Sequence, residues 1–247
     1  MSPLLCATIT PYKIMTFVFL HGLAGDPDDI FHASAHLPSH RFIAPRIPYF
    51  EDEMASVTDL ADVLIPEIRR SNPGKTPILV GNSLGGMVAL ALADTFPQAH
   101  LTLVGTHMVT TSRPVHRTGG GFDRELGFIF HNRSALTETR KARYRKKWMD
   151  FTSSRKGIRR LRTIKALASA FDIASRFERF QHRITLVCGR NDQISSLHQF
   201  TELHRHHRGL RIHIIEECGH AIPLEHPACL ARILAGQIHT DSTSNEF

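Results

Sequence analysis

The sequence predicts an α/β fold: a mostly parallel, doubly wound sheet with a helical segment inserted into it. Three features carry that expectation. Six short apolar runs, most of them β-branched, lie at 16–20, 41–45, 77–80, 100–105, 183–188 and 210–215, with Gly, Pro or Asn punctuating their ends. Helical patterns fill the intervals at about 53–70, 84–96, 195–207 and 226–238. The alternation breaks once, because nothing between about 107 and 182 reads as a core strand. Continuous apolar strands alternating with helices belong to a parallel sheet covered on both faces. The long gap fits a helical cap, so the expected division is a core of residues 1–106 and 183–247 and a cap of 107–182.

Composition narrows the class. At 247 residues the chain can bury a full core, and 42% hydrophobic with 21% charged residues is ordinary for a globular protein. No apolar run approaches the roughly 20 residues that span a bilayer. The start, with no basic residue and a short apolar stretch, does not read as a signal peptide. Cys6, Cys188, Cys218 and Cys229 show neither C-x-x-C spacing nor a dense framework, so reduced thiols in a cytoplasmic protein are expected. Residues 1–14 read as a peripheral extension and residues 240–247 as a frayed tail.

Taken in order, the elements place chemistry at strand ends. The run at 16–20 leads into His21 and Gly22, a loop whose following amide, that of Leu23, can donate to an oxyanion. His21 itself is expected to be structural. Asp26, Asp28 and Asp29 lack calcium-loop spacing and read as a helix start. The run at 77–80 leads into Gly81-Asn82-Ser83-Leu84-Gly85 and then a helical pattern. A serine on a sharp strand-to-helix turn needs a strained backbone, and glycines two residues either side remove side chains that would collide there. The turn lifts the hydroxyl clear and sets the Leu84 amide at a helix N-terminus, where it can stabilise negative charge.

A serine hydroxyl becomes a nucleophile when a histidine takes its proton and an acid orients that histidine. In a parallel sheet such groups come from loops at the carboxyl ends of strands. The run at 100–105 is followed by Thr106, His107 and Met108, with no carboxylate. After 183–188 comes Asp192, and after 210–215 comes His220 behind Gly219. Ser83, Asp192 and His220 are therefore the expected catalytic residues, with the amides of Leu23 and Leu84 as the oxyanion donors.

Together these segments resemble the α/β-hydrolase superfamily over roughly residues 14–239. The resemblance rests on His21-Gly22, the elbow at 81–86, the acid segment at 189–192 and the base segment at 219–227. It implies the α/β-hydrolase fold and a capped, carboxylesterase-like serine enzyme needing no cofactor or metal. The elbow also resembles those of hydrolases that cleave carbon–carbon bonds in ring-fission products. A serine in that place argues against haloalkane dehalogenases and epoxide hydrolases, whose nucleophile there is an aspartate.

Charge is concentrated in the expected cap. Residues 140–162 carry eleven Lys/Arg against Asp150 alone, a local +10 in a chain whose formal charge is +7. A solvated helix face is the plain reading. Attraction of an anionic substrate, a coenzyme A thioester or an acidic carrier protein is the functional one. Nucleic-acid binding is not expected, because no binding module accompanies the patch. His198, His204, His206 and His207 have basic neighbours and read as an exposed helix end rather than a metal site. Gly119, Gly120 and Gly121 lack the Lys-Ser/Thr of a phosphate loop and read as a bend.

Hydrolysis of a small carboxylic ester is thus the leading expectation, with residues of the cap at 107–182 lining the acyl pocket. A thioesterase or acyl-carrier-protein ester hydrolase follows, then a carbon–carbon hydrolase, then a receptor that kept a hydrolase pocket.

Overall fold

The computed structural model describes residues 14–51, 54–108 and 121–240. The expectations for residues 1–13, Cys6, Gly119, Gly120 and the tail beyond 240 lie outside them. The β-branched runs become strands β1 (Thr16–Leu20), β2 (Arg41–Ile43), β3 (Ile78–Asn82), β4 (His100–Val104), β5 (Ile184–Gly189) and β6 (Arg211–Ile215). The helices between them are α1 (Phe31–Ser34), α2 (Val57–Asp62), α3 (Ile65–Ser71), α4 (Leu84–Leu92), α5 (Phe122–Ile129), α6 (Glu138–Thr152), α7 (Arg155–Ala170), α8 (Ile173–Phe180), α9 (Leu197–His206), α10 (Ile222–Glu225) and α11 (Pro227–Thr240).

All six strands pair in parallel, in the order β2-β1-β3-β4-β5-β6. The chain steps outward from β1 to β2, returns across β1 to β3, and then runs outward to β6. Order reverses between β1 and β3, and connections that part there open a crevice at the carboxyl ends of those strands. This is the α/β-hydrolase architecture.

The central strands β1, β3, β4 and β5 are almost wholly buried because both faces are covered. Alternate residues divide between two cores. Val18, Leu20, Leu79, Leu101, Leu103, Ile184 and Leu186 pack with α2, α4 and α8 on one face. Phe17, Phe19, Ile78, Val80, Val104 and Val187 pack with α11 on the other.

Two expectations change in detail. The helical pattern at 53–70 is two helices, α2 and α3, and Pro66 sits in the first turn of α3, where its missing N–H costs least. Ser56 caps α2 by accepting the Asp59 amide at 3.0 Å. The run at 210–215 ends in an edge strand, Arg211–Ile215, in which Ile215 alone is buried and Ile214 is 39% exposed. With one strand neighbour instead of two, β6 cannot be covered as the central strands are.

Helices α5 to α8 lie between β4 and β5. The last of them, α8, packs on α4 and feeds Ile173, Phe177 and Phe180 into the sheet's core, while Arg176 and Arg179 pair with Asp94 at 3.1 and 3.0 Å. Among the described residues, no helix is long and apolar enough to cross a membrane.

Candidate active site

The turn after β3 is built as its glycines predict. Ser83 has φ 55° and ψ −122°, a region that L residues occupy only when the surroundings enforce it. The enforcement is close packing of backbone. A side chain at Gly85 would place its first carbon 2.0 Å from the Leu20 carbonyl oxygen, and one at Gly81 would meet the Gly85 carbonyl at 2.5 Å. The Ser83 amide donates to the Val104 carbonyl at 2.8 Å, fixing the turn against the end of β4.

Asp192 and His220, 28 residues apart, are brought together. His220 Nδ1 lies 2.8 Å from Asp192 Oδ2, with the carboxylate fully buried and the imidazole 8% exposed. The other carboxylate oxygen, Oδ1, accepts the amides of Ile194 and Ser195 at 2.7 and 2.8 Å. Three of the roughly four lone-pair sites of the Asp192 carboxylate are thereby used, two by backbone amides and one facing His220 Nδ1.

The end of β4 joins the serine to this pair. Gly105 follows Val104 in a left-handed conformation, φ 54°, and a side chain on it would lie 3.1 Å from His220 Nδ1 and 3.4 Å from Asp192 Oδ2. Ser83 and the His220–Asp192 pair thus flank two consecutive backbone residues. Gly105 is itself pinned, its amide donating to the Val187 carbonyl at 2.8 Å and its carbonyl accepting the Ser195 hydroxyl at 2.7 Å.

Leu23 sits in a tight turn closed by the Gly25 amide on the Gly22 carbonyl at 3.0 Å, and Leu84 is the first residue of α4. A side chain at Gly22 would meet Ser83 Cβ at 3.1 Å, so this turn lies directly against the serine. Among the described residues, neither the Leu23 nor the Leu84 amide has a protein acceptor.

His21 has the structural place expected of it. Its Nδ1 lies 2.9 Å from the Gly22 carbonyl, and Nε2 accepts the Ile47 amide at 3.1 Å, which puts the proton on Nδ1. Burial, aided by the charges of Lys147 and Arg46, pushes its pKa down to about 4. The Tyr49 hydroxyl donates to the His21 carbonyl at 2.7 Å. Asp26 begins the helical turn that its acidic cluster suggests, its amide donating to Asp29 Oδ2 at 2.8 Å. His198, His204 and His206 are exposed on α9, and His207 packs edge-on to Phe177. Among the described residues, no three His, Cys, Asp or Glu side chains converge as a metal site would need. Cys188, Cys218 and Cys229 are free thiols, and burial pushes the Cys188 thiol up to about 12.

Sequence reasoning missed two residues that support the pair. Ser195 binds Asp192 through its amide and Gly105 through its hydroxyl; an aspartate followed three residues later by a serine is the local signal for such a turn. Glu225 accepts the amides of Gly219 at 3.0 Å and Asn132 at 2.8 Å, and burial raises its pKa. Helix α5 also holds the base loop, because the Ile129 carbonyl accepts the amides of His220 at 2.8 Å and Ala221 at 3.1 Å.

A parallel sheet with a strained serine at the switch point and a buried Asp–His pair from the ends of β5 and β6 defines the class. The profile of the alpha/beta hydrolase family matches residues 17–232, and the chain belongs to that family. No curated protein matches the sequence. Among solved structures, a candidate lipase from Acinetobacter baumannii AYE superposes with a TM-score of 0.74 at 19% identity, over 92% of this chain and 85% of that one. A meta-cleavage product hydrolase from Pseudomonas fluorescens IP01 gives 0.70 at 18% identity, over 93% and 92%. A thermophilic esterase from Thermogutta terrifontis gives 0.67 at 19% identity, over 92% and 90%. At these identities the likeness is one of fold.

Proposed function

We propose that the chain is a serine hydrolase that cleaves a carboxylic ester through an acyl-enzyme. The observation that carries this reading is the 2.8 Å bond between His220 Nδ1 and a fully buried Asp192 carboxylate, beside a serine held at φ 55°. With its Nδ1 proton donated to Asp192, His220 presents an unprotonated Nε2 as the general base. Ser83 attacks the ester carbonyl as His220 takes its proton. The amides of Leu23 and Leu84 hold the oxyanion, and the imidazolium, stabilised by Asp192, protonates the leaving alkoxide. Water then enters, gives its proton to His220, and releases the acid. The cap helices supply the roof of the acyl pocket.

A second reading keeps the same chemistry and changes what bears the acyl group. On α7 the exposed Arg155, Arg159, Arg162 and Lys165 share one face, and among the described residues they make no ion pair. A thioester or an acidic carrier protein would find unspent cations there.

The test is hydrolysis of p-nitrophenyl esters from acetate to long chains by the native protein and by Ser83→Ala. Activity that the variant loses by 10³-fold or more, on the order expected for removal of a nucleophile, supports the serine mechanism. Equal rates in the two proteins would sink it. A coenzyme A thioester in the same panel separates the two substrate classes.

A further inference from the structure

The cations of residues 140–162 do not form one patch. On α7, Arg155, Arg159 and Arg162 face solvent, whereas α6 turns Arg143, Tyr144 and Lys147, from two successive turns, onto the loop that follows β1. The Lys147 side chain, 18% exposed, lies 2.8 Å from Asp26 Oδ1, and its ammonium donates to the Gly25 carbonyl. Arg143 reaches Asp28 at 3.2 Å and Asp26 at 3.8 Å. The buried Tyr144 hydroxyl donates to Asp29 Oδ2 at 3.4 Å, and Asp29 in turn holds the Asp26 amide. These contacts all fall on residues 25–29, directly after the 22–25 turn that carries the Leu23 amide.

The other flank of the loop is held from α7. Arg160 Nε donates to the Tyr49 carbonyl at 2.7 Å, and the Tyr49 hydroxyl donates to the His21 carbonyl at 2.7 Å. Cap helices thus grip both sides of residues 21–29. An exposed ion pair contributes about 0–1 kcal/mol, but a half-buried ammonium with a carboxylate and a carbonyl as partners is costly to misplace, so the contact fixes geometry. An oxyanion donor acts only when held within about 0.5 Å of its productive position.

We infer that Lys147 is a positioning residue for the oxyanion site: by tying α6 to Gly25 and Asp26 it sets the 22–25 turn, so transition-state stabilisation requires the cap to be seated. The inference rests on the serine-hydrolase reading. Lys147 makes no contact with the reacting atoms in it; the turn transmits its effect.

The experiment compares native protein with Lys147→Met, Lys147→Arg and Asp26→Asn, using Lys146→Met as the exposed control. Two readouts are taken: hydrogen exchange of residues 21–26, and kcat and KM for the best p-nitrophenyl ester. Removing one oxyanion donor costs 10²–10³ in kcat, so a loosened donor should cost about 10–100-fold, with KM within about threefold. Exchange of the 22–25 amides should rise about tenfold or more in Lys147→Met and Asp26→Asn while the central strands keep their protection. Lys147→Arg, which retains the charge and the donors, should recover most of kcat, and Lys146→Met should match native protein. Unchanged exchange at 22–25 would overturn the latch. Faster exchange with unchanged kcat, or a rise confined to KM, would overturn the positioning role. If native protein shows no Ser83-dependent turnover, the hydrolase reading fails, and the exchange result still decides whether Lys147 holds the loop.

Discussion

Replacing Asp192 by asparagine should be far more damaging than the loss of one charge suggests. Oδ1 of Asp192 accepts two backbone amides, from Ile194 and Ser195, at 2.7 and 2.8 Å, and Oδ2 receives the His220 Nδ1 proton at 2.8 Å. An asparagine there has one oxygen. Turning its NH₂ group toward the two amides would forfeit two hydrogen bonds, about 2–3 kcal/mol. The oxygen therefore stays with the backbone and the NH₂ group faces Nδ1, which must then accept and leave the proton on Nε2. A histidine protonated on Nε2 cannot take the proton of Ser83. Restoring the working tautomer costs that same 2–3 kcal/mol, and the lost charge-assisted bond to the imidazolium removes about 1.5–3 kcal/mol more. Together they come to about 4–6 kcal/mol, roughly 10³–10⁴-fold in kcat. The assay is ester hydrolysis at saturating substrate, with urea unfolding to verify an intact fold. Asp192→Ala, which imposes no tautomer, should lose less. A folded Asp192→Asn protein with kcat within tenfold of native would refute the reasoning.

Two further outcomes follow from the packing. His21, neutral with a pKa near 4 in the fold, takes up a proton near pH 6.5 once unfolded, so the unfolded chain binds more protons between those values. Its contribution is complete above about pH 6.5 and is lost as pH falls through 4, for a total of about 3 kcal/mol at 1.36 kcal/mol per unit. Urea unfolding at pH 7 and pH 4.5 should register the loss, partly offset by Asp29 and Glu225, whose raised pKa values act in the opposite sense. An assigned His21 ring resonance that titrates above pH 6 would contradict this. For the elbow, Gly85→Ala places a carbon 2.0 Å from the Leu20 carbonyl and should destabilise by about 3 kcal/mol or more. Gly74→Ala, at φ 65° with open space around it, should cost about 1–2 kcal/mol; equal urea midpoints for the two variants would contradict the crowding argument.

What was legible in the sequence was what is local or periodic. Strand runs, the elbow glycines and the segments around Asp192 and His220 each declare themselves within ten residues, and the sheet brings those two side chains within 2.8 Å. The edge character of β6 was hidden, because an apolar run does not say how many neighbours it will have. Contacts that link distant turns were hidden as well. Lys147 and Asp26 are 121 positions apart in the chain, and nothing in either segment announces the other. The same blindness made eleven cations look like a single surface, when charge counting cannot tell which side chains turn inward.

The end of β4 supplies none of the side chains proposed to react, yet its main chain touches both the serine and the Asp–His pair. The Val104 carbonyl holds Ser83, Gly105 lies against His220 and Asp192, and the Gly105 carbonyl holds Ser195. Main-chain groups survive substitution. Thr106, fully buried with its hydroxyl on the Gly81 carbonyl at 3.4 Å, is bound to the elbow, whereas the half-buried His107 beyond it can change while the geometry of the proposed site is inherited unchanged. In that sense the strand end divides the molecule's heritable parts into those that must persist and those free to explore.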